Sequence, residues 1–430
     1  MSSKGDIAGL AQTCRNLYDL IMPELYRLSF QEKATDTLYW AAEHGHSRVV
    51  QSFLIANSHL GLQLLLPHMN RALSLSAKHG QTSVVSTLLL IEGVDPDSTS
   101  NRFQRTPLSY AAQGAYVDIV RSLLEANRVN PNSIDRQYGQ LPLIWAVQYR
   151  LGEVDLKSEA AASAVQSAEE RAIPVIRLLL NNGANIKSID YDYRNALYWA
   201  TANSMGLSAI VCLLLQKGAL PEGNVDDKQQ AMAKSRQSYR IPRPEIRLPL
   251  SFEGWAGYDE VIQTLLEFKA NMDCMELFGS FRNRHPLACV AEKGNLSTVR
   301  LLINQGACPE SPGCPLRCAA KNGHVEMVQL LLDEMMHHYS RITDARQRGK
   351  EEEGTRICTR YYRNHSPGNT AIAALPDAME SGNVEVVRLL LTVSRVDINH
   401  GYLTGANIPL LITVRAEQPS IDMIKVLLAI

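Results

Sequence analysis

The feature that most constrains this 430-residue sequence is a motif that returns about ten times along it. The copy that starts at Asp36 reads Asp-Thr-Leu-Tyr-Trp-Ala-Ala-Glu-His-Gly-His, and the copy at Cys314 reads Cys-Pro-Leu-Arg-Cys-Ala-Ala-Lys-Asn-Gly-His. A second apolar run follows each copy, so the whole pattern is x-Pro-Leu-x-x-Ala-Ala-x-x-Gly-x-x-x-Val-Val-x-x-Leu-Leu. Copies start near Asp36, Arg71, Thr106, Leu141, Asn195, Leu248, His285, Cys314, Ala373 and Ile408, and the first four starts are 35 residues apart. A fixed period of this length predicts a repeat architecture.

The motif predicts two helices joined by a tight turn. Proline suits the first helical position, where its missing N–H is unpaired in any case. The paired alanines keep the first helix thin enough for neighbours to stack closely, and the glycine permits a positive φ in the turn. The Val-Val-x-x-Leu-Leu run gives the second helix an apolar stripe at helical spacing. Since no unit can bury this stripe alone, stability has to come from stacking on its neighbours.

In these motifs the sequence resembles the ankyrin-repeat family, whose period is about 33 residues. The resemblance covers nearly the whole chain and implies an all-α fold over residues 36–430. The expected architecture is an ankyrin-repeat solenoid of about ten helix-turn-helix units with β-turn fingers. The units depart from the family pattern in places. The third unit has Thr106-Pro107-Leu108-Ser109 where the family has Thr-Pro-Leu-His, so we expect the Thr–His hydrogen bond to be lost there.

Three insertions interrupt the array, near residues 148–172, 222–247 and 333–369. The first contains the run Glu159-Ala160-Ala161-Ala162-Ser163-Ala164, which favours a helical extension because alanine is the strongest helix former. The other two are rich in charged residues, and we expect solvated loops there. The alternative is a peptide, nucleic-acid or regulatory contact, for which local charge is weak support.

The N-terminal segment, residues 1–30, leaves two interpretations open. It contains Leu-x-x-Thr-Cys-Arg-x-Leu-Tyr from Leu10 and Pro-x-Leu-Tyr-Arg from Pro23. These elements resemble the C-terminal half of an F-box in fungal F-box/ankyrin proteins, although the Leu-Pro-containing first helix of that motif is absent. The resemblance implies docking to a Skp-type adaptor in a ubiquitin ligase. Alternatively, the segment forms amphipathic helices that cap the first repeat. At the other end, residues 423–430 lack the polar outer face of a terminal repeat, so we expect an array that is truncated there or continues against a partner.

The sequence contains no recognisable catalytic or cofactor signature. Gly-x-Gly-x-x-Gly, Walker, His-Glu-x-x-His and Gly-x-Ser-x-Gly patterns are all missing, so we expect no enzymatic activity, no catalytic residues and no cofactor. Cys308, Cys314 and Cys318 are the best metal candidates, but a zinc site needs four ligands and no fourth lies nearby. We therefore predict no metal and three small core residues. His46 and His324 follow the turn glycine and are expected to be structural.

Composition limits the cellular compartments and the classes of binding partner that we expect. The 43 basic and 44 acidic residues give a formal net charge of −1, which provides no global attraction to nucleic acid or to a membrane surface. No signal peptide and no run of about 18 apolar residues is present. The eight cysteines are scattered, which suits reduced thiols. We expect an intracellular protein, cytoplasmic or nuclear, whose partners are other proteins.

The resemblance implies that partners bind at the finger tips and the outward face of the first helices, along a concave groove. Trp40, Trp145 and Trp199 fall four residues after a repeat start and are predicted to be core residues, whereas Trp255 falls seven after its start and should face the groove. Aromatic and arginine side chains dominate interface hot spots. The remaining candidates of this kind are Phe103, Arg105, Arg136, Tyr138, Tyr191, Tyr193, Arg194, Phe278, Phe281 and Arg282. The alternative is that these side chains pack only onto neighbouring fingers.

Two functions remain open at this point. The first is a non-enzymatic protein–protein interaction module or scaffold. The second is a substrate-recognition subunit of an SCF-type ubiquitin ligase, in which the N-terminal segment docks and the repeats hold the substrate.

Overall fold

The computed structural model describes residues 34–57, 62–99, 103–126, 128–148, 160–192, 194–202, 207–221, 250, 259–272, 285–311, 314–347, 367–394 and 421–428. The chain divides into two compact units, Met1–Ala219 and Leu220–Ile430. Over the described residues the regular elements are helices, apart from one isolated β-bridge between Ile189 and Asn195. The all-α fold class that the motif predicts is therefore confirmed.

The helices follow the motif, and most of them come in pairs. In the first unit they are α1 (Ala34–His44), α2 (Ser47–Ala56), α3 (Leu62–Lys78), α4 (Thr82–Leu89), α5 (Pro107–Gln113), α6 (Val117–Glu125), α7 (Pro142–Val147), α8 (Ala160–Asn181), α9 (Ala196–Ala202) and α10 (Ser208–Gln216). In the second unit they are α11 (Asp259–Glu267), α12 (Pro286–Lys293), α13 (Leu296–Asn304), α14 (Pro315–Lys321), α15 (Val325–Gln347), α16 (Pro367–Glu380), α17 (Val384–Ser394) and α18 (Ile421–Leu428). None of these helices is long and apolar enough to cross a membrane.

Within each of the two compact units, the first helices of neighbouring repeats pack on one another, and so do the second helices. In the first unit α1 packs on α3 and α5 on α7, while the second helices pack as α2 on α4 and α6 on α8. In the second unit α12 packs on α14, α14 on α16, and α15 on α17. The alanine pair of α1, Ala41 and Ala42, is fully buried, as are Val50 and Phe53 of α2. Burial of each large apolar side chain contributes about 1.5–3 kcal/mol, which identifies the stacked stripes as the main source of stability.

The cap of α5 agrees with the expectation drawn from the sequence. Thr106 is the N-cap residue, and its Oγ1 accepts a hydrogen bond from the Ser109 N–H at 3.2 Å. The two hydroxyl oxygens also lie 3.0 Å apart. The Thr–His hydrogen bond is absent, as expected, and Ser109 contacts Thr106 through its backbone N–H and its hydroxyl instead.

The turn between paired helices sets how closely neighbouring repeats approach. At Gly80 φ is +74°, and a Cβ there would lie 2.6 Å from the Tyr116 ring of the next repeat. Only glycine therefore satisfies both the backbone conformation and the available space. The glycine at this turn thus serves contact between repeats as well as the turn itself.

Side chains that follow the turn glycine reach back to the preceding repeat. Gln81 Nε2 donates to the carbonyl oxygen of Glu43 at 2.8 Å. His324 Nε2 lies 3.0 Å from the carbonyl oxygen of Glu292. Both contacts satisfy a carbonyl at the end of a helix, where no partner remains within that helix. The structural role predicted for His324 is confirmed.

Two insertions change the lengths of second helices. Helix α8 begins at Ala160, which confirms the predicted helical extension in the first insertion. Helix α15 continues to Gln347, so residues 333–347 are helical and the expectation of a loop there was wrong. The physical reason is an apolar stripe: Met335 and Ile342 are buried, and Ile342 packs with Cys308 and Tyr339. Residues 348–366 of the third insertion, residues 222–247 and the N-terminal residues 1–30 lie outside the described part of the chain.

Candidate functional site

The loop before α7 forms a turn, residues 130–140, that we call finger A. At its centre Asp135 is 2% exposed. Its Oδ1 accepts hydrogen bonds from the N–H groups of Gln137 at 2.8 Å and Tyr138 at 2.7 Å. Its Oδ2 accepts from the N–H of Gln140 at 3.0 Å and from the indole Nε1 of Trp145 at 3.2 Å. One buried carboxylate therefore satisfies the donors of the turn and ties finger A to α7.

The loop before α9 repeats this arrangement in finger B, residues 185–194, of which residue 193 lies outside the described part. The buried Asp190 accepts from the N–H groups of Asp192 at 3.0 Å and Arg194 at 2.9 Å. Its other oxygen accepts from Trp199 Nε1 at 3.0 Å and from Gln140 Nε2 at 3.4 Å. Burial raises the pKa of Asp190, and these hydrogen bonds lower it in part. Gln140 thus joins the two fingers.

Backbone contacts fix the fingers against one another. The Tyr191 N–H donates to the carbonyl oxygen of Tyr138 at 2.9 Å. The Arg136 N–H donates to the carbonyl oxygen of Phe103, in the preceding finger, at 2.8 Å. The Tyr191 ring also covers Gly139, where a Cβ would lie 2.5 Å from the ring. Side chains on fingers A and B are therefore presented in a fixed relation.

Two arginines stack on aromatic rings where the fingers meet the first helices. The guanidinium carbon of Arg105 lies 3.5 Å from the ring centroid of Trp145 and 4.3 Å from that of Tyr110. That of Arg194 lies 5.2 Å from the centroid of Trp199. Such cation–π contacts contribute about 0.5–2 kcal/mol each, more where the cation is desolvated. They hold both arginines along the surface that the fingers border.

The predicted binding residues fall into three groups. Arg136, Tyr138 and Tyr191 are exposed, with 46% of Tyr138 and 57% of Tyr191 accessible. Phe103, Arg105 and Arg194 are half-buried. Trp255, Tyr193, Phe278, Phe281 and Arg282 lie outside the described residues, so their role stays a prediction. Packing between fingers and exposure to solvent coexist, since Tyr191 covers Gly139 and still presents more than half of its surface.

Sequence reasoning did not identify the residues that organise this surface. Asp135 and Asp190 were missed, although a signal was present: each aspartate stands nine or ten residues before a tryptophan of the motif. Ile134 and Lys187 were missed as well, and both are exposed on the fingers. An isoleucine or lysine in a turn has no property that distinguishes it in a sequence from an ordinary loop residue.

The motif tryptophans do not share one environment. Trp145 is buried, as predicted, and Trp199 is partly buried. Trp40 is 37% exposed, so its assignment to the core was wrong. Its indole stacks with the rings of His44 and His46, at centroid distances of 4.7 and 4.8 Å. Burial lowers the pKa of His46, and the neighbouring His44 lowers it further.

The cysteine predictions were correct only in part. Cys308 is buried against Ile342, as expected for a small core residue. Cys314 is exposed, because it occupies the N-cap of α14 with a φ of +49° rather than a position on the apolar stripe. Cys318 is half-buried. Across the described residues, no group of three histidine, cysteine, aspartate or glutamate side chains could hold a metal ion.

Comparison with protein families agrees with the stacked helix pairs. A family model described as ankyrin repeats (3 copies) matches residues 73–157 and 253–342. Ankyrin repeats are therefore shown over these two segments. Similarity to the crystal structure of the human ASB11 ankyrin repeat domain covers 54% of this chain and 84% of that one, at 21% identity and a TM-score of 0.39. No curated protein matches the sequence significantly. Ankyrin repeats are stacked binding modules, which indicates a protein–protein interaction module.

Proposed function

We propose that this chain is a non-enzymatic interaction module or scaffold that binds other proteins through its fingers and first helices. The observation that carries the proposal is the display of two exposed tyrosines, Tyr138 and Tyr191, on fingers fixed by backbone hydrogen bonds. Tyrosine combines a large contact area with few rotatable bonds, and it is enriched at interface hot spots. A fixed display also reduces the ordering that binding requires.

Affinity capture with mass spectrometry tests the proposal. The full chain, a double variant Tyr138→Ala/Tyr191→Ala and a control variant Leu90→Ala would each serve as bait. Leu90 is 87% exposed, so the control removes an exposed apolar side chain from α4's end, away from the fingers. We expect specific partners to be lost from the double variant and retained by the control. Trp255→Ala and Tyr193→Ala extend the test to the remaining candidates, and undiminished capture by all of these variants would contradict the proposal.

A second candidate function draws its support from the N-terminal sequence alone. The elements from Leu10 to Arg27 resemble part of an F-box, which favours a substrate-recognition subunit of an SCF-type ubiquitin ligase. The test is co-purification of a Skp-type adaptor with the full chain, compared with a chain lacking residues 1–30. Retention of the adaptor by the shortened chain, or its absence from both samples, would count against this candidate.

A further inference from the structure

The exposed charged side chains of fingers A and B are two cations, Arg136 and Lys187, and one carboxylate, Asp192. We define the finger face as Ile134, Arg136 and Tyr138 of finger A with Lys187 and Tyr191 of finger B, all of which are exposed. Two of these residues are cationic and none is anionic. The same fingers contain three aspartates, so the sign of the surface depends on where those carboxylates lie.

The three aspartates are matched within the fold. Asp135 and Asp190 are buried, and each accepts four hydrogen bonds from backbone and side-chain donors. Asp192 is exposed, but its carboxylate lies 3.5 Å from Nη1 of Arg194. In contrast, neither Arg136 nor Lys187 forms an ion pair with any carboxylate among the described residues. The outward charge of the finger face is therefore positive.

The finger face is also held in shape by contacts on its inner side. Asn132 Oδ1 accepts a hydrogen bond from the Asn185 N–H at 2.7 Å, and Asn132 Nδ2 donates to the carbonyl oxygen of Gly183 at 3.0 Å. The backbone hydrogen bond from Tyr191 to Tyr138 adds a second point of contact, so finger A is joined to finger B at both Asn132 and Tyr138. A partner therefore meets cations and aromatic rings that are already positioned, which favours affinity and selectivity for a matching surface.

We propose that the segment bound at the finger face is an acidic stretch of polypeptide that also carries aromatic or aliphatic side chains. The proposal rests on the proposed protein-binding function and adds to it the chemistry of the partner. Carboxylates of the partner pair with Arg136 and Lys187, while its apolar side chains contact Ile134 and the two tyrosine rings. The apolar contacts supply most of the affinity, and the charges supply selectivity and speed of association.

Two synthetic peptides of equal length provide the probe. One repeats Glu-Glu-Tyr four times, the other repeats Lys-Lys-Tyr four times, and binding of each fluorescent peptide to the full chain is followed by anisotropy. A single-stranded oligothymidine of the same number of units tests the competing class of polyanion. We expect the acidic peptide to bind and its affinity to fall as salt rises. Arg136→Glu and Lys187→Glu should each weaken it by roughly fivefold, since reversal replaces an attraction with a repulsion.

Arg121→Glu is the matched control, because Arg121 is an exposed cation of α6 outside both fingers. Circular dichroism verifies that each variant is folded, and all three changes are on the surface. Equal binding of the lysine peptide, tighter binding of the oligonucleotide, or unchanged affinity in both finger variants would overturn the acidic-partner proposal.

The tyrosine double variant separates this outcome from failure of the proposed function. If Tyr138→Ala/Tyr191→Ala loses its natural partners while both charge reversals retain them, the finger face binds proteins and only the acidic chemistry is wrong. If all of these variants retain their partners, the proposed function is wrong as well.

Discussion

Replacing Asp135 with asparagine tests whether the buried carboxylate holds finger A in place. The change preserves shape, but an amide offers one acceptor oxygen instead of two. If that oxygen keeps the N–H groups of Gln137 and Tyr138, the new NH2 group faces the N–H of Gln140 and the indole N–H of Trp145. The N–H groups of Gln140 and Trp145 then face an NH2 group and lose their acceptor. Rotating the amide by 180° moves the same conflict to the N–H groups of Gln137 and Tyr138.

The size of the effect follows from these two lost hydrogen bonds. A buried polar group left unpaired costs about 1–3 kcal/mol, so Asp135→Asn should destabilise the closed finger by about 2–6 kcal/mol. Because a factor of ten in an equilibrium corresponds to about 1.4 kcal/mol, even the lower value makes opening of finger A roughly 25-fold more frequent. The effect should be local, since repeat arrays open in units smaller than the whole chain.

Hydrogen–deuterium exchange measured by mass spectrometry reports this opening directly. Peptides that cover residues 134–147 should exchange at least roughly 25-fold faster in Asp135→Asn, while peptides from α13 keep their rates. Asp192→Asn is the control, because this carboxylate is exposed and makes only a weak surface ion pair. Exchange in finger A that stays within about threefold of the wild type would refute the claim that Asp135 holds the turn.

Two further changes test packing and ionisation. Gly80→Ala should lower the thermal unfolding midpoint more than Gly183→Ala: φ is positive at both, but only at Gly80 would the Cβ meet a ring, that of Tyr116. Equal losses would contradict this account. Burial raises the pKa of Glu310 from 4.5 to about 7, opposed in part by a hydrogen bond from Thr370, so stability should fall as pH rises through that range. Glu310→Gln should reduce this fall between pH 4.5 and about 7, and an unchanged pH dependence would refute it.

Repeat register predicted the positions of the helices better than the environments of individual side chains. The proline, alanine and Val-Val positions were placed correctly because they depend on the unit itself and on its like neighbours. Trp40, Trp145 and Trp199 share one register position, yet only the last two have an aspartate nine or ten residues earlier. At those spacings before Trp40 the sequence has Gln31 and Phe30. Among the described residues no carboxylate accepts the indole N–H of Trp40, which stacks on two histidines and remains exposed.

The helical part of the third insertion shows why charge content misleads when it is considered alone. The stretch after Asp333 is rich in charged residues, which favours a loop on composition. Yet Leu332, Met335, Tyr339 and Ile342 recur at three- and four-residue intervals, which is the spacing of one helix face. Met335 and Ile342 are buried, and Ile342 packs against Cys308. The helix therefore extends to Gln347. The periodicity was readable in the sequence, whereas the neighbour that covers it was not.

The paired aspartate and tryptophan of fingers A and B connect the fold to the proposed binding surface. Trp145 and Trp199 do not themselves form the finger face; each donates its indole N–H to the carboxylate that shapes a finger. The tyrosines that follow those aspartates, Tyr138 and Tyr191, are the side chains placed in solvent. Residues of the repeat motif therefore build the stack, and residues particular to these two neighbouring repeats determine where it presents a fixed aromatic and cationic surface. In a degenerate array of this kind, a buried aspartate that fixes a finger is therefore a better guide to a binding site than a high frequency of aromatic residues.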